Sequence, residues 1–267
     1  MKKIVFTLIS FSIIASANAQ DAADKSFQAG LVFGAGMNFQ KMGTKLMNTD
    51  GAGNDLTIGG NMNIMFNETI GLTTGIEFDF NTTKFKPGPA NVYYLYNDNN
   101  IEEYNADKTG KELFQMESRK QKATYLTIPT MLVFRTNFIG YFRYFGKFGL
   151  RSSFLLSQKI NDEGFDFNPD NVLGVPTPVT NENMKAKNEM FFFKSAVGIA
   201  GGAEWNFVGT TCLVAEIGYY YGVTPLFYNR KDPYLFTAGG LNGTSEDISF
   251  SNKATQSQLQ LKISILF

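Results

Sequence analysis

The sequence predicts an all-β chain, an eight-stranded antiparallel up-and-down transmembrane β-barrel with short periplasmic turns and long extracellular loops. Three observations predict it. Apolar and polar residues alternate with a period of two over segments of a dozen residues or more, which is the pattern of a strand with one wet and one dry face. Short connections and long polar connections alternate along the chain. Finally, the charged residues within these segments all share one face.

The chain opens on Met1-Lys2-Lys3, an apolar run from Ile4 to Ala17, and Ala17-Asn18-Ala19. A basic start, a short apolar core and an A-x-A site predict a secretory signal peptide over residues 1–19, too short to span a bilayer as a helix. The mature chain is expected to start at Gln20, with 20–26 a short periplasmic tether and 27–267 the barrel domain. No Cys follows the cleavage site, which argues against a lipid-anchored lipoprotein.

Phe27 to Gln40 alternates Phe27, Leu31, Phe33, Met37 and Phe39 with Gln28, Gly30, Asn38 and Gln40. After a polar, Gly-rich loop, Asp55 to Phe66 sends Leu56, Ile58, Met62 and Ile64 outward. Asn67-Glu68-Thr69 turns tightly into Ile70 to Thr82, with Ile70, Leu72, Ile76, Phe78 and Phe80 outward. Residues 83–121 leave the pattern. Within them, Val92 to Tyr96 and Glu112 to Glu117 are expected to pair as a hairpin around Asp107-Lys108-Thr109-Gly110, above the membrane. Thr124 to Thr136 and Tyr141 to Ser157 form the fourth and fifth strands, flanking the turn at Asn137 to Gly140. A second polar loop, Gln158 to Glu189, precedes Phe191 to Phe207. Val208-Gly209-Thr210 turns into Thr211 to Gly222, and a loop from Val223 to Lys253 leads to the last strand. That strand, Gln256 to Phe267, is apolar at every odd position from Leu259 to Phe267.

The outward face of these segments carries no Asp, Glu, Lys or Arg. The inward face carries Glu77, Asp79, Arg135, Arg143, Lys147, Arg151, Lys194, Glu204, Glu216 and Lys262. A Lys or Arg facing lipid at the bilayer midplane costs about 2–4 kcal/mol, so this placement suits a barrel bathed in lipid. A soluble barrel or sandwich would reverse it. Phe138, Tyr141, Phe142, Tyr144, Trp205, Phe207 and Phe267 fall near the turns or the carboxy terminus, and Phe191 to Phe193 and Tyr219 to Tyr221 near the other rim, as aromatic girdles would.

Composition narrows function. The chain has no His, which excludes His-dependent triads, dyads and metal sites. Its one Cys, Cys212, makes neither a disulfide framework nor a thiolate cage, and reads as a small strand residue. Formal charge is balanced, so nothing points to nucleic acid. No cofactor and no enzymatic activity are expected. The Gly clusters (Gly30, Gly34 and Gly36; Gly198, Gly201 and Gly202) lie within strands and read as close-packing positions rather than a nucleotide loop. Asn97 to Asn100 with Glu102 and Glu103 lacks the spacing of a calcium loop and reads as a solvated tip. Asn67, Asn81 and Asn242 head glycosylation-type triplets that a bacterial setting discounts.

The remaining constellation is the inward charges. Unpaired buried charge is costly, so Glu77, Asp79, Arg143, Lys147, Arg151, Lys194, Glu204, Glu216 and Lys262 are expected to pair as a network. Glu216 and Lys262 are expected to interact with each other, and Glu77 and Asp79 with some of Lys147, Arg151 and Lys194. An eight-strand interior is just wide enough for side chains to fill, which favours a plug over an ion path.

The terminal strand, ending on an aromatic residue, resembles the final strand of bacterial outer-membrane barrels, where the terminal Phe belongs to the assembly signal. This implies that role for Phe267 and a partner in the barrel-insertion machinery. Tyr125-Leu126-Thr127-Ile128-Pro129 resembles the Y-L-x-I-P motif of the PorT-like outer-membrane barrel family of Bacteroidetes. Gly149 to Ser157, Phe193 to Glu204 and Tyr219-Tyr220-Tyr221-Gly222 are similar to its fifth, sixth and seventh strands. The resemblance implies a Gram-negative outer-membrane barrel with both termini periplasmic, in contact with outer-membrane lipid. The family's namesake is linked to type IX secretion, and no residue here identifies that branch. The leading expectation is a scaffold or interaction platform acting through the extracellular loops. A small passive pore and an accessory component of secretion or envelope assembly, with envelope or secretion proteins as partners, are the alternatives. A cell-wall anchor is disfavoured because the chain ends on the barrel.

Overall fold

The computed structural model describes residues 26–103, 112–167, 176–187, 189–208, 211–228, 234–238 and 248–267. The expected signal peptide, most of the tether, the turn at Asp107 to Gly110, Gly209 and Thr210, Asn242 and the side chain of Phe207 lie outside them. Fourteen strands are described: β1 Phe27–Met42, β2 Met47–Thr49, β3 Gly53–Met65, β4 Ile70–Pro87, β5 Val92–Asn97, β6 Asn100–Glu102, β7 Glu112–Arg135, β8 Phe142–Phe167, β9 Thr177–Ala186, β10 Phe193–Val208, β11 Thr211–Gly222, β12 Phe236–Ala238, β13 Ile248–Phe250 and β14 Ala254–Leu266.

Antiparallel pairing runs β1–β3–β4–β7–β8–β10–β11–β14 and returns to β1, so the ladder closes on itself. Closure removes the open edges that a sheet otherwise exposes. The seam is completed by the last residue: Phe267 N–H donates to Ala29 O at 2.9 Å, and Ala29 N–H to Phe267 O at 3.2 Å.

Side chains alternate across this wall as the period-two reading requires. Leu31, Phe33, Ile58, Ile76, Phe134, Phe148, Ile199, Ile217, Leu261 and Ile265 are exposed on the outside, whereas Glu77, Asp79, Arg143, Arg151, Lys194, Glu204, Glu216 and Lys262 are buried. A continuous exposed apolar belt around buried charge is inside-out for a water-soluble protein and right for a lipid-facing wall. Phe142 and Trp205, partners across β8 and β10, stack with centroids 6.1 Å apart on that outer face. Two of the expected girdle rings face inward instead. Tyr220 is buried in the interior by strand alternation, and the Phe138 ring packs under the Arg143 guanidinium at 4.6 Å.

The strand count departs from expectation. The sequence predicts eight spanning strands with one hairpin above them; the structure adds β2, β6, β9, β12 and β13 in stretches read as polar loops. Four of these are three residues long, too short to show a period, and β9 is polar and largely exposed. Val92 to Tyr96 are all buried, so no alternation marks β5. The Val92–Tyr96 hairpin does form, with Val92 opposite Met116 and Tyr96 opposite Glu112. β7 and β8 are also longer than read, at 24 and 26 residues. At about 3.4 Å per residue such strands run near 80 Å, far beyond the roughly 9–11 residues that cross a bilayer.

The surplus length builds a second layer at the long-loop end. Phe85, Tyr94, Phe114, Met116, Ile160, Met184, Leu226, Phe227, Phe236 and Phe250 form one apolar core. Tyr94 meets Phe114 and Phe236 with ring centroids 5.1 and 6.3 Å away. These loops are therefore a packed cap over the barrel mouth.

Pro129 sits inside β7, where a missing N–H should break the ladder. It does: the β4–β7 register skips Gly75 and Ile76, the residues that would face Pro129 and Ile128. On the other side Pro129 still pairs with Arg151.

Candidate functional site

Inward-facing charge on seven of the ring strands converges on one column inside the barrel. At the short-turn end, Arg143 and Glu204 are direct cross-strand partners. The guanidinium grips the carboxylate with both arms, Nη2 to Oε1 at 2.6 Å and Nε to Oε2 at 2.8 Å. Such fork-to-fork pairing is the strong form of a charged hydrogen bond. Gln28 bridges the group, accepting from Arg143 at 3.2 Å and from Arg135 at 3.3 Å. Arg135 also donates to the Glu68 carbonyl at 2.9 Å, tying the column to a short turn.

One level further in, Lys147 donates to Glu216 at 2.6 Å, and Lys262 donates to both Glu77 oxygens at 2.7 and 2.9 Å. Glu216 and Lys262 do stand opposite each other on β11 and β14, but each makes its ion pair elsewhere.

Arg151 is the hub. It donates to Glu77 at 2.6 Å and to both Asp79 oxygens at 3.0 Å, and it also bonds Gln260. Its guanidinium lies 4.7 Å from the centre of the Tyr220 ring. Thr57 and Thr127 each donate to Asp79 at 2.6 Å, so that carboxylate is saturated from three strands. Of the cations expected for Glu77 and Asp79, Arg151 alone is within ion-pair distance; Lys147 turns to Glu216. Lys194 donates to Gln256 at 2.9 Å and sits 4.2 Å over the Tyr125 ring.

The aromatic filler is held by small residues. A Cβ at Gly198 would fall 2.1 Å from the Tyr220 ring, and one at Gly218 would fall 2.7 Å from its hydroxyl. Only glycine lets Tyr220 lie flat between Arg151 and the wall. The voids left along the column measure about 10 and 20 Å³. That is room for about one water apiece.

Sequence reasoning missed two parts of this arrangement. Asp55 is buried in the interior and accepts from Gln258 at 2.8 Å and from Gln260 at 2.5 Å. The parity that placed Leu56 outward puts Asp55 inward, so its signal was there. The second is a charge cluster in the cap. Arg119 donates Nε and Nη2 to Asp162 at 2.9 and 2.7 Å, and Nη1 to Glu189 at 3.0 Å, with all three side chains buried. Its guanidinium packs 4.9 Å from the Phe236 ring and 5.5 Å from Tyr94. Asn252 donates to Glu189 at 3.2 Å. Burial pushes the Glu189 carboxyl above its usual range, against the opposing pull of Arg119. No local pattern in sequence links residues so far apart.

Elsewhere, Asn97 to Asn100 is the tip between β5 and β6, with Asp98 at φ 49°. Asn and Asp are among the residues that most readily adopt that left-handed conformation. Cys212 is buried on the inner face of β11.

Comparison with known proteins places the chain. No curated protein matches it. Among solved structures it is similar to OprG of Pseudomonas aeruginosa, at 10% identity and a TM-score of 0.45, covering 93% of this chain and 98% of that one. It is similar to Ail of Yersinia pestis at 12% identity and a TM-score of 0.33, with 91% and 100% covered. The outer membrane protease OmpT of Escherichia coli follows at 8% identity and a TM-score of 0.35, with 94% and 99% covered. The family described as outer membrane protein beta-barrel domain matches residues 18–228. With that match spanning most of the sequence, the chain belongs to the outer membrane protein beta-barrel domain family.

Proposed function

We propose that the chain is a non-enzymatic outer-membrane protein whose closed ring of eight strands spans the bilayer and whose capped long-loop end serves as a rigid interaction platform. Residues 1–19 act as a signal peptide and 20–26 as a periplasmic tether. The short turns and both termini face the periplasm, and the cap faces the exterior. The PorT-like branch of Bacteroidetes is the assignment that the strand motifs favour.

The observation that carries this reading is the filled interior. The acidic and basic groups of the column neutralise one another at 2.6 to 3.0 Å, and the voids between them hold about one water each. An ion path needs a continuous wet column and groups free to exchange partners. Above that plug, the loops bury an apolar core and a charge cluster, which fixes their shape before any partner arrives. A surface fixed in advance loses less entropy on binding.

The test is conductance. Purified protein reconstituted in planar bilayers is expected to give no stable ohmic steps. Stable steps that respond to Arg151→Ala would instead make it a small passive pore. Affinity capture from envelopes through a tag in a surface loop separates a general platform from an accessory of secretion or envelope assembly by the partners recovered.

A further inference from the structure

Toward the long-loop end, the outer face of β4, β7 and β8 changes character in three steps. Phe80, Leu126 and Leu156 close the outward apolar rows of these strands. Thr82, Thr124 and Ser157 are the next outward residues, and all three bear hydroxyls. Beyond them stand Lys84, Lys120, Lys122 and Lys159, all exposed. Lys84 is the cross-strand partner of Lys120, and Lys122 of Lys159. Directly opposed side chains have Cβ atoms about 4.5–5.5 Å apart, and like charges so placed are destabilising.

Among the described residues, none of the four lysines has a carboxylate within ion-pair distance. The neighbouring charges higher on the same face are already engaged: Lys86 pairs with Asp50 at 3.1 Å, and Glu163 accepts from Ser118 at 3.3 Å. The array also belongs to one sector of the ring. Beyond the apolar runs of β11 and β14, the outward Tyr221, Ser257 and Thr255 carry no charge. A surface that serves solubility alone intersperses both signs. Four opposed ammonium groups on three strands instead form a field that an anion would neutralise. Lysine stems lie along apolar surface while their heads stay wet, and a lysine head is a point-charge partner for phosphate.

We propose that this face of β4, β7 and β8 is a docking site for the phosphorylated headgroup of an outer-leaflet glycolipid of the lipid A type. Its acyl chains lie against Phe80, Leu126 and Leu156. Its sugar hydroxyls and amides meet Thr82, Thr124 and Ser157, and its phosphate oxygens accept from the two lysine pairs. The order of the three bands along the wall, apolar, hydroxyl and cationic, matches the order of those groups in the lipid. The inference rests on the proposed orientation, with the cap outside; it does not depend on what the cap recognises.

Native mass spectrometry of the detergent-solubilised full chain, titrated with bisphosphorylated lipid A, its dephosphorylated form and phosphatidylglycerol, tests it. One saturable adduct of the phosphorylated form is expected, held about tenfold more tightly than either of the others, the scale of one charge-assisted hydrogen bond. The combined variant Lys84→Gln, Lys120→Gln, Lys122→Gln and Lys159→Gln should erase that preference. Lys41→Gln with Lys253→Gln, at exposed lysines outside the array, should keep it. Heat-modifiable gel mobility confirms that each variant is folded. Equal binding of the two lipid A forms, a preference that survives the fourfold variant, or its loss in the twofold control would each overturn the proposal. Displacement of the adduct by inorganic phosphate would overturn it too, by assigning the lysines to a free anion. Antibody access to a surface-loop tag on intact cells reads the orientation separately, so an inverted barrel is told apart from one that ignores the lipid.

Discussion

Glu216 and Lys262 face each other across β11 and β14, yet Glu216 is bound by Lys147 at 2.6 Å and Lys262 binds Glu77 at 2.7 Å. Register brought the two opposite charges level, and cross-barrel reach decided the pairing. Lys147 and Glu77 extend from other walls into the same level, so each charge finds a partner across the interior rather than beside it. Strand neighbours can be read from sequence; partners across a closed interior depend on its diameter.

That pattern ranks the column by how many acids each base serves. Arg151 serves Glu77 and Asp79, whereas Lys262 serves Glu77 alone, and Glu77 keeps Arg151 if Lys262 is lost. Arg151→Met is therefore expected to cost about 3–5 kcal/mol, the scale for stranding buried charge, and Lys262→Met clearly less. Equilibrium urea unfolding in lipid vesicles, followed by the fluorescence of Trp205, the chain's single Trp, measures both. Equal losses would show that Arg151 is not the hub.

The cap makes a separable prediction. Arg119 is the one base between Asp162 and Glu189 in their ion pairs, and it packs on Phe236 and Tyr94. Arg119→Leu strands two acids inside an apolar core and is expected to open the cap while the ring persists. Limited proteolysis should then cut within the loops under conditions where the wild type resists, with heat-modifiable mobility unchanged. A variant as resistant as wild type would mean that apolar packing alone closes the cap.

Acidity should act on the same cluster. The Glu189 carboxyl is raised by burial, so the closed cap holds a proton at pH values where the open cap has released it. Its contribution is fully present below the ordinary Glu range near 4.5 and is lost as pH rises through the raised value. Arg119, Asp162, Gln121 and Asn252 face it, and Glu189→Gln leaves their hydrogen bonds an acceptor. Hydrogen exchange of residues 226–228 and 235–238 should therefore slow in wild type as pH falls toward 4.5, after correction for intrinsic rates, and change less in Glu189→Gln. Identical profiles would remove Glu189 as the cause.

Legibility followed the solvent contrast. Where a strand separates lipid from a polar interior, as Leu259 to Phe267 do, every second residue announces its side, and the ring strands were readable there, though β7 and β8 run on well beyond the alternating stretch into the cap. Asp55 was within reach of the same rule. In the cap Val92 to Tyr96 are dry on both faces and carry no period, the three-residue β12 and β13 are too short to show one, and β9 is polar and largely exposed, so it reads as loop. Arg119, Asp162 and Glu189 are brought together only by long-range pairing of β7 with β8 and by the return of the chain at Glu189. The bulge in β8, where Thr124 pairs with Ser157 and Tyr125 with Leu155, depends on one extra residue, a count that composition and period cannot register.

Phe267 and Lys262 share β14 but are expected to fail differently. Phe267 is half exposed on the outer face, and its backbone hydrogen bonds to Ala29 complete the seam between the first and last ring strands. Lys262 points inward and touches only the charge column and the Tyr220 ring. A terminal aromatic that acts as an assembly signal must be read before the barrel closes, whereas a buried ion pair forms only after closure. Deleting Phe267 should therefore lower the amount of folded protein recovered from outer membranes, with unfolded chain accumulating or being degraded. Lys262→Ala should reach the membrane at wild-type level and differ only in urea midpoint. Fractionation of the two variants, each normalised to total synthesis, tests the division, and a Lys262→Ala chain that failed to reach the membrane as thoroughly as the Phe267 deletion would abolish it.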